Sequence, residues 1–392
     1  MRRATLRTVL LVVSAIVLLD VLFYSAIAPL LPTYVADLRL SKTQAGLLSG
    51  SYAFGTLLAS LPAGWLATRH GTRLTLLLGM GLLGAASIGF GLGTSFAVLT
   101  VARFAQGVGG AASWAAGLAW LVDIAPRERR GQLIGVVLGT GIAGAIGGPV
   151  LGAVAVALGP AKVFPAIAVV AAGLAVAVAV TATRGDSPPS AGDVRRALRD
   201  RRVLTGAWLT ALPALFFGTY TVLVPLRLAA LGASAFAIAA VFLLAAAVEA
   251  SLSPLVGRLS DRRGRLLPLR TGLACVLLAC LALPRPHVVW VLGVVVVFAA
   301  AAGGMLYTPA SALLSDGAEA AGLPQGLVFG LFNLVWAAGQ IGGAAGGAGL
   351  ADATDDTVPY LVVAVLAATT VLALRPTRSR WTGRHHRVPR RP

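Results

Sequence analysis

The sequence predicts an all-α membrane protein of twelve transmembrane helices, arranged as two pseudo-symmetric six-helix bundles. Three observations carry that expectation. The 392 residues are 57% hydrophobic and only 12% charged, with mean hydropathy +0.86, more apolar surface than a soluble domain of this size uses. The uncharged runs are about 20 residues long, enough to cross the hydrocarbon core. There every backbone group must bond internally, so the runs are read as helices; barrel strands would be shorter and alternating. Finally, Gly64, Leu66, Arg69 and Gly71 recur as Gly257, Leu259, Arg262 and Gly264, each 193 positions later. A segment that recurs at half the chain length marks a duplicated unit.

Taken in order, the first half holds runs at 9–35, 43–67, 74–93, 95–122, 132–158 and 162–182. The first run follows Arg2, Arg3 and Arg7 and so imitates a secretion signal. Asp20 interrupts it, and it continues too far for a short signal core, so it is read as a retained helix. The second run leads into Gly64–Arg73, the fourth carries Arg103, and the fifth is rich in glycine. The second half holds runs at 203–229, 233–256, 266–284, 287–314, 325–350 and 357–374. Its second run carries Glu249 and leads into Gly257–Arg265, expected to be a short cationic loop. Its third holds Cys275 and Cys280, whose spacing suits neither a disulfide nor a metal and is read as packing. The organisation is therefore a bundle over 1–183, a cytoplasmic linker over 184–202, a second bundle over 203–374 and a basic tail over 375–392. The linker begins with Ser-Pro-Pro-Ser and ends in a basic stretch expected to lie as a short helix on the membrane surface.

A net charge of +18 raises the question of nucleic acid. Here, however, the charge sits in loops and tails, with no basic soluble domain to hold a duplex. If the N-terminus is cytoplasmic, the tails and the even-to-odd loops with the adjoining run ends carry 26 of the 32 Lys and Arg, the opposite loops and run ends five, and Arg103 alone lies deep inside a run. That asymmetry predicts a plasma-membrane protein with both termini in the cytoplasm. The segment around Asp316 and Glu319 has no basic residue and is a local exception.

Gly257-x-Leu-x-Asp261-Arg262-x-Gly264-Arg265, with Leu269 beyond it, resembles the loop signature of the major facilitator superfamily. The resemblance implies that fold and a latch between the halves when the cavity opens outward. The earlier copy, with Gly64, Arg69 and Gly71, has Thr68 where the acid is expected and Thr72 for a basic residue. Glycines in such a segment would allow a tight turn between closely packed helix ends. In the fifth run, Gly135, Gly144, Gly148, Pro149 and Gly152 are similar to the signature of the drug:proton antiporter branch, with Ala153 for the final glycine. Gly330, Gly339 and Gly343 repeat the spacing 195 positions later, with Ala344 in place of the proline. Small residues let helices approach closely and a proline permits a kink, so these helices are expected to supply contacts along which the halves move.

Arg103-Phe-Ala-Gln106-Gly107 resembles a further family signature, an arginine and a glutamine facing a central cavity. An arginine there costs at least about 2.5 kcal/mol and needs a partner or water. Asp20 is expected at a similar depth, so the two could pair, either for structure alone or with Asp20 exchanging a proton under the influence of Arg103. Glu249, expected nearer the cytoplasmic side, is a second proton site, a group that attracts cations, or a wetted helix-end residue. Tyr24, Gln106, Tyr220, Tyr307, Asn333, Trp336 and Gln340 are the candidate cavity residues, and aromatic groups among few polar ones would suit a hydrophobic substrate.

No phosphate-binding loop, metal cluster or nucleophile triad is seen in the sequence. The expected protein is not an enzyme and uses no cofactor beyond a proton gradient. The resemblance implies a monomeric secondary transporter that exports a small organic or drug-like compound by alternating access. A proton symporter or sugar exporter of the same fold is the nearest alternative; from other classes come a non-transporting sensor and a membrane transferase.

Overall fold

The structure is a computed structural model and describes residues 5–126, 129–181, 200–320 and 325–374, apart from the side chains of 261, 319, 320 and 325–329. Among the described residues twelve helices follow one another. They are α1 (Leu6–Ser25 and Ile27–Leu38), α2 (Lys42–His70), α3 (Thr72–Leu92), α4 (Phe96–Ile124), α5 (Arg130–Leu158) and α6 (Pro160–Thr181). The second set is α7 (Arg201–Ala230), α8 (Ala235–Arg263), α9 (Leu266–Ala282), α10 (Val289–Ala320), α11 (Gln325–Ile341, Gly342–Gly347 and Ala348–Ala353) and α12 (Thr357–Ala373). Eight of these helices, α1, α3 to α8 and α10, are long and apolar enough to span a bilayer.

Packing repeats at a spacing of six helices. α1 lies on α5 as α7 lies on α11; α2 on α4 as α8 on α10; α3 on α6 as α9 on α12. The two sets meet along α2 with α11 and along α5 with α8, pairs that the same spacing relates. Phe23, Phe90 and Phe164, with ring centroids 5.0 to 5.7 Å apart, fill the first core. Phe216, Tyr220 and Phe242 do the same in the second.

Three expectations change. Gly257–Arg265 is not a loop: its first seven residues are the last two turns of α8, and only Gly264 and Arg265 connect to α9. Gly264 (φ 81°) and Gly71 (φ 91°) adopt a conformation closed to most side chains and make the turns, as expected of glycine. Gly64 and Gly257 are helical, and a β-carbon on either would meet no close neighbour among the described residues. Asp316, expected in a loop, belongs to α10 and forms an ion pair with Arg265. That pair ties the turn to its own bundle. Arg69 lies over the Trp65 ring, 5.2 Å from its centroid, one turn back on α2. The side chain of Asp261, the linker before Asp200 and the tail from 375 lie outside the described residues. His70, beyond the predicted run 43–67, is the last residue of α2.

The glycine-rich helices also differ from expectation. A β-carbon on Gly144 would lie 2.8 Å from the Leu18 carbonyl, one on Gly148 2.8 Å from that of Leu22, and one on Gly152 would overlap the Ala26 carbonyl. Gly339 and Gly343 are crowded in the same way against Ala211 and Leu215 of α7. The stripes therefore bind α5 to α1 and α11 to α7, inside each bundle and not between them. Gly135 and Gly330 meet nothing close among the described residues. The tight contact between bundles is elsewhere, where Gly46 of α2 admits Ala344 and Ala348 of α11. There α11 loosens into the π-helical turn Gly342–Gly347.

Candidate functional site

The centre of the molecule is built on a break in α1. Pro29 has no amide hydrogen for the Ser25 carbonyl and Pro32 none for Ala28, so the helix restarts at Ile27. Arg103 of α4 reaches this break. Its Nη2 donates to the Tyr24 carbonyl at 3.2 Å, and its Nη1 donates to Gln106 Oε1 at 2.6 Å with a longer 3.5 Å approach to the Phe23 carbonyl. The guanidinium also lies over the rings of Tyr24, Tyr52 and Phe90, 5.5 to 5.8 Å from their centroids. Two hydrogen bonds from a charged donor at about 1.5–3 kcal/mol each, with cation–π attraction added, match or exceed the insertion cost of about 2.5–3.5 kcal/mol. Arg103, 1% exposed, is held with no carboxylate partner.

The expected ion pair between Asp20 and Arg103 is absent from the structure. Tyr24 lies one helical turn past Asp20, roughly 6 Å along the axis, and Arg103 is drawn to that level by the carbonyls there. Asp20 has other partners. Its Oδ2 accepts from Tyr52 Oη at 2.8 Å and from Trp114 Nε1 at 3.1 Å, while its buried Oδ1 has no hydrogen-bond partner. A β-carbon at Gly110 would sit 2.8 Å from that oxygen, so the glycine makes the carboxyl's room. Asp20 is 0% exposed. The aromatic residues couple the two groups: Tyr52 donates to Asp20, lies under Arg103, and packs its ring 4.6 Å from that of Tyr24.

Tyr24 also crosses to the second bundle. Its hydroxyl accepts from Gln340 Nε2 of α11 at 2.5 Å, and its ring meets Trp336 edge-on at 5.9 Å. The structure thus brings Asp20, Tyr24, Arg103, Gln106, Trp336 and Gln340 into one connected cluster. Tyr220 is apart from it, buried among Phe216, Phe217 and Phe242 with its hydroxyl donating to the Val296 carbonyl at 3.3 Å. Asn333 is half-buried on α11. Tyr307 stacks on Phe217 at 5.8 Å and lines a cavity of about 310 Å³.

That cavity lies between α5, α8, α10 and α11, walled by Ile142, Ala145, Tyr307 and Phe332, and Glu249 faces it. Glu249 is near the middle of the long α8, not towards its end as expected. The walls run from mid-depth towards the ends of the helices that carry most of the basic residues, here termed the basic face. The opposite face is closed. Lys42 Nζ lies 2.6 Å from Asp356 Oδ1, and Thr43 Oγ1 donates to Asp352 Oδ2 at 2.8 Å, joining the start of α2 to the junction of α11 and α12. Hydrogen bonds from Thr43 hold the Asp352 carboxyl below its usual range. Residue-level reading of the sequence missed Tyr52, Trp114, Gly110 and Gly46. Each stands in a run of small or apolar residues, where spacing cannot separate a ligand of Asp20 from a packing residue.

Two duplicated bundles around a buried ionisable cluster, with a chamber between them, are the architecture that secondary transporters share. The chain belongs to the Major Facilitator Superfamily, which it matches over residues 13–344. It is 30% identical over 284 residues to an uncharacterised MFS-type transporter of Enterobacter sp., covering 71% of this chain and 72% of the relative. Its match to the MFS-type transporter ppzB of Metarhizium majus is 33% identical over 141 residues, and spans 34% of this chain and about a third (31%) of that relative. Among solved structures it is similar to a bacterial homologue of the lysosomal transporter Spinster in an inward-facing conformation, with TM-score 0.75 and 16% identity over 94% of this chain and 97% of that one. The D-xylose–proton symporter has TM-score 0.73 and 15% identity over 95% and 98%.

Proposed function

We propose that this protein is a proton-coupled exporter of a small organic compound, working by alternating access, with Asp20 as the proton-carrying group. The observation that carries the proposal is the environment of Asp20. One carboxyl oxygen takes two hydrogen bonds and the other, equally buried, has no partner. A carboxyl in such a place is suited to bind a proton at the free oxygen and to release it when the surroundings change. Asp20 reaches the second bundle through Tyr52, Tyr24 and Gln340, so rocking of the bundles would alter those surroundings. Arg103 supports the break in α1 one turn past Asp20.

In this reading the basic face is cytoplasmic, both termini lie inside the cell, and a single chain in the plasma membrane suffices. The structure then corresponds to a state closed to the outside. Substrate enters from the cytoplasm as Asp20 loses its proton, the bundles rock, and a proton from outside reloads Asp20 as substrate departs. The test is export of a panel of drug-like compounds by energised inverted vesicles. Uptake into the vesicles should follow the proton gradient and be lost in Asp20→Asn, with the variant still folded. Unchanged gradient-driven uptake in that variant rejects the proton role, and uptake of the reversed sign points to symport.

A further inference from the structure

The cavity at Glu249 lies beside the buried Asp20 cluster, its wall residue Tyr307 hydrogen-bonded to Trp336, and its chemistry is one-sided. The Glu249 carboxylate makes no hydrogen bond or ion pair with any described residue: Ser253 donates instead to the Glu249 backbone carbonyl, at 3.1 Å. The titratable groups that face it are the phenols of Tyr307 on α10 and Tyr220 on α7. α5 contributes Ile142 and Ala145 and α11 contributes Phe332, so no described wall carries a positive charge. An unpaired carboxylate in an apolar chamber must hold a proton or attract a cation, because its desolvation is otherwise uncompensated. Space has been left for it. A β-carbon on Gly304 would collide with the Glu249 side chain, lying 2.9 Å from Oε1.

We infer that this cavity is the recognition site for a monovalent organic cation with an apolar body, its ammonium group against Glu249 and its body between the Tyr307 and Phe332 walls. Aromatic faces attract the same charge that the carboxylate does, and an anion would be repelled by Glu249 with no cation in the described walls to offset it. A polyol finds few free donors, since Ser253 and Ser311 donate to carbonyls of their own helices and only the Tyr307 and Thr308 hydroxyls remain among the lining residues. A chamber of about 310 Å³ is at the small end of ligand cavities, fitting one ring and an ammonium group. The two acids thus divide the work: Asp20 carries the proton and Glu249 selects the charge of the cargo. This assignment rests on the transport reading above but is testable without flux.

The test is calorimetric titration of the purified full-length protein with benzyltrimethylammonium, whose charge is permanent, beside 3-phenylpropionate and benzyl alcohol. The cation should bind at least tenfold more tightly than either comparison compound. Glu249→Gln should weaken it tenfold or more, and Glu249→Asp should restore part of the loss. In the wild type, acidification should weaken binding as a proton takes the place of the ammonium, and this response should be flat in Glu249→Gln. Should that variant fail to fold, the wild-type pH response still decides. Absence of cation binding, equal binding of the three compounds, or wild-type affinity in Glu249→Gln overturns the assignment. Charge-selective binding without proton-driven flux in vesicles would leave this site standing and reject the transport reading. Proton-driven export of neutral compounds without cation binding would do the reverse.

Discussion

Arg103 shows how a costly residue is made tolerable by its neighbours. No carboxylate among the described residues pairs with it; it has the Tyr24 carbonyl beside the break in α1, the Gln106 amide oxygen and three aromatic faces. Replacing it by alanine removes the donor and strands buried acceptors, each worth about 1–3 kcal/mol. Arg103→Ala should therefore lower the melting temperature of the detergent-solubilised protein clearly. Arg103→Lys, keeping the charge but not the fork, should recover only part of that loss. A melting temperature unchanged in Arg103→Ala would mean that the capping contacts contribute nothing. Tyr52→Phe probes the other side of the cluster: it removes one of two bonds to Asp20 Oδ2, and should shift the pH profile of transport. An unmoved pH profile would exclude Asp20 as the titrating group.

At the scale of helices, the glycine stripes make opposite predictions for similar substitutions. Gly144→Ala and Gly343→Ala push a methyl group against a neighbouring carbonyl and should destabilise the protein. Gly135→Ala meets open space and should be neutral or stabilising by up to about 1 kcal/mol, because glycine is a poor helix former. Thermal melting of the three variants separates the cases, and equal losses would contradict the packing described. These helices also mark how far the sequence could be read. Apolar runs located all twelve, because lipid forbids unpaired backbone and leaves few choices, but α8 and α10 run on past Val256 and Leu314 to Arg263 and Ala320, where the sequence turns polar. Asp20, Arg103, Glu249 and Tyr24 stood out as charge or aromatic polarity within such runs. What could not be read was which face each helix turns to which neighbour. The repeated spacing of Gly144, Gly148, Gly339 and Gly343 announced a close approach but not that its partner lay within the same bundle. In the same way, equal depth suggested a bond between Asp20 and Arg103, while rotation of the helices and the proline break decided against it.

The whole molecule is held closed on one face by Lys42–Asp356 and Thr43–Asp352, with Gly46 packed on α11 beneath them. Asp352 is exposed beyond the apolar stretch of α11 and its carboxyl is held below the usual range by Thr43, whose bonds opening would break. The closed state thus gains from the ionised acid at neutral pH and loses that gain as pH falls through the carboxylate range. Lys42→Ala combined with Asp352→Asn should open this face, seen as faster thiol labelling of a cysteine placed at Gly50; unchanged labelling would show that the latch holds nothing. Protonation of Asp20 is proposed to drive the bundles between two arrangements. Its most direct test uses spin labels on cysteines replacing Arg39 and His287 at the closed face, and His70 and Arg258 at the basic face, with distances measured against pH in lipid nanodiscs. The account predicts that the two distances change in opposite senses as pH is varied, and that Asp20→Asn abolishes both changes. Distances that respond to pH equally in the variant, or that move together at both faces, would contradict it.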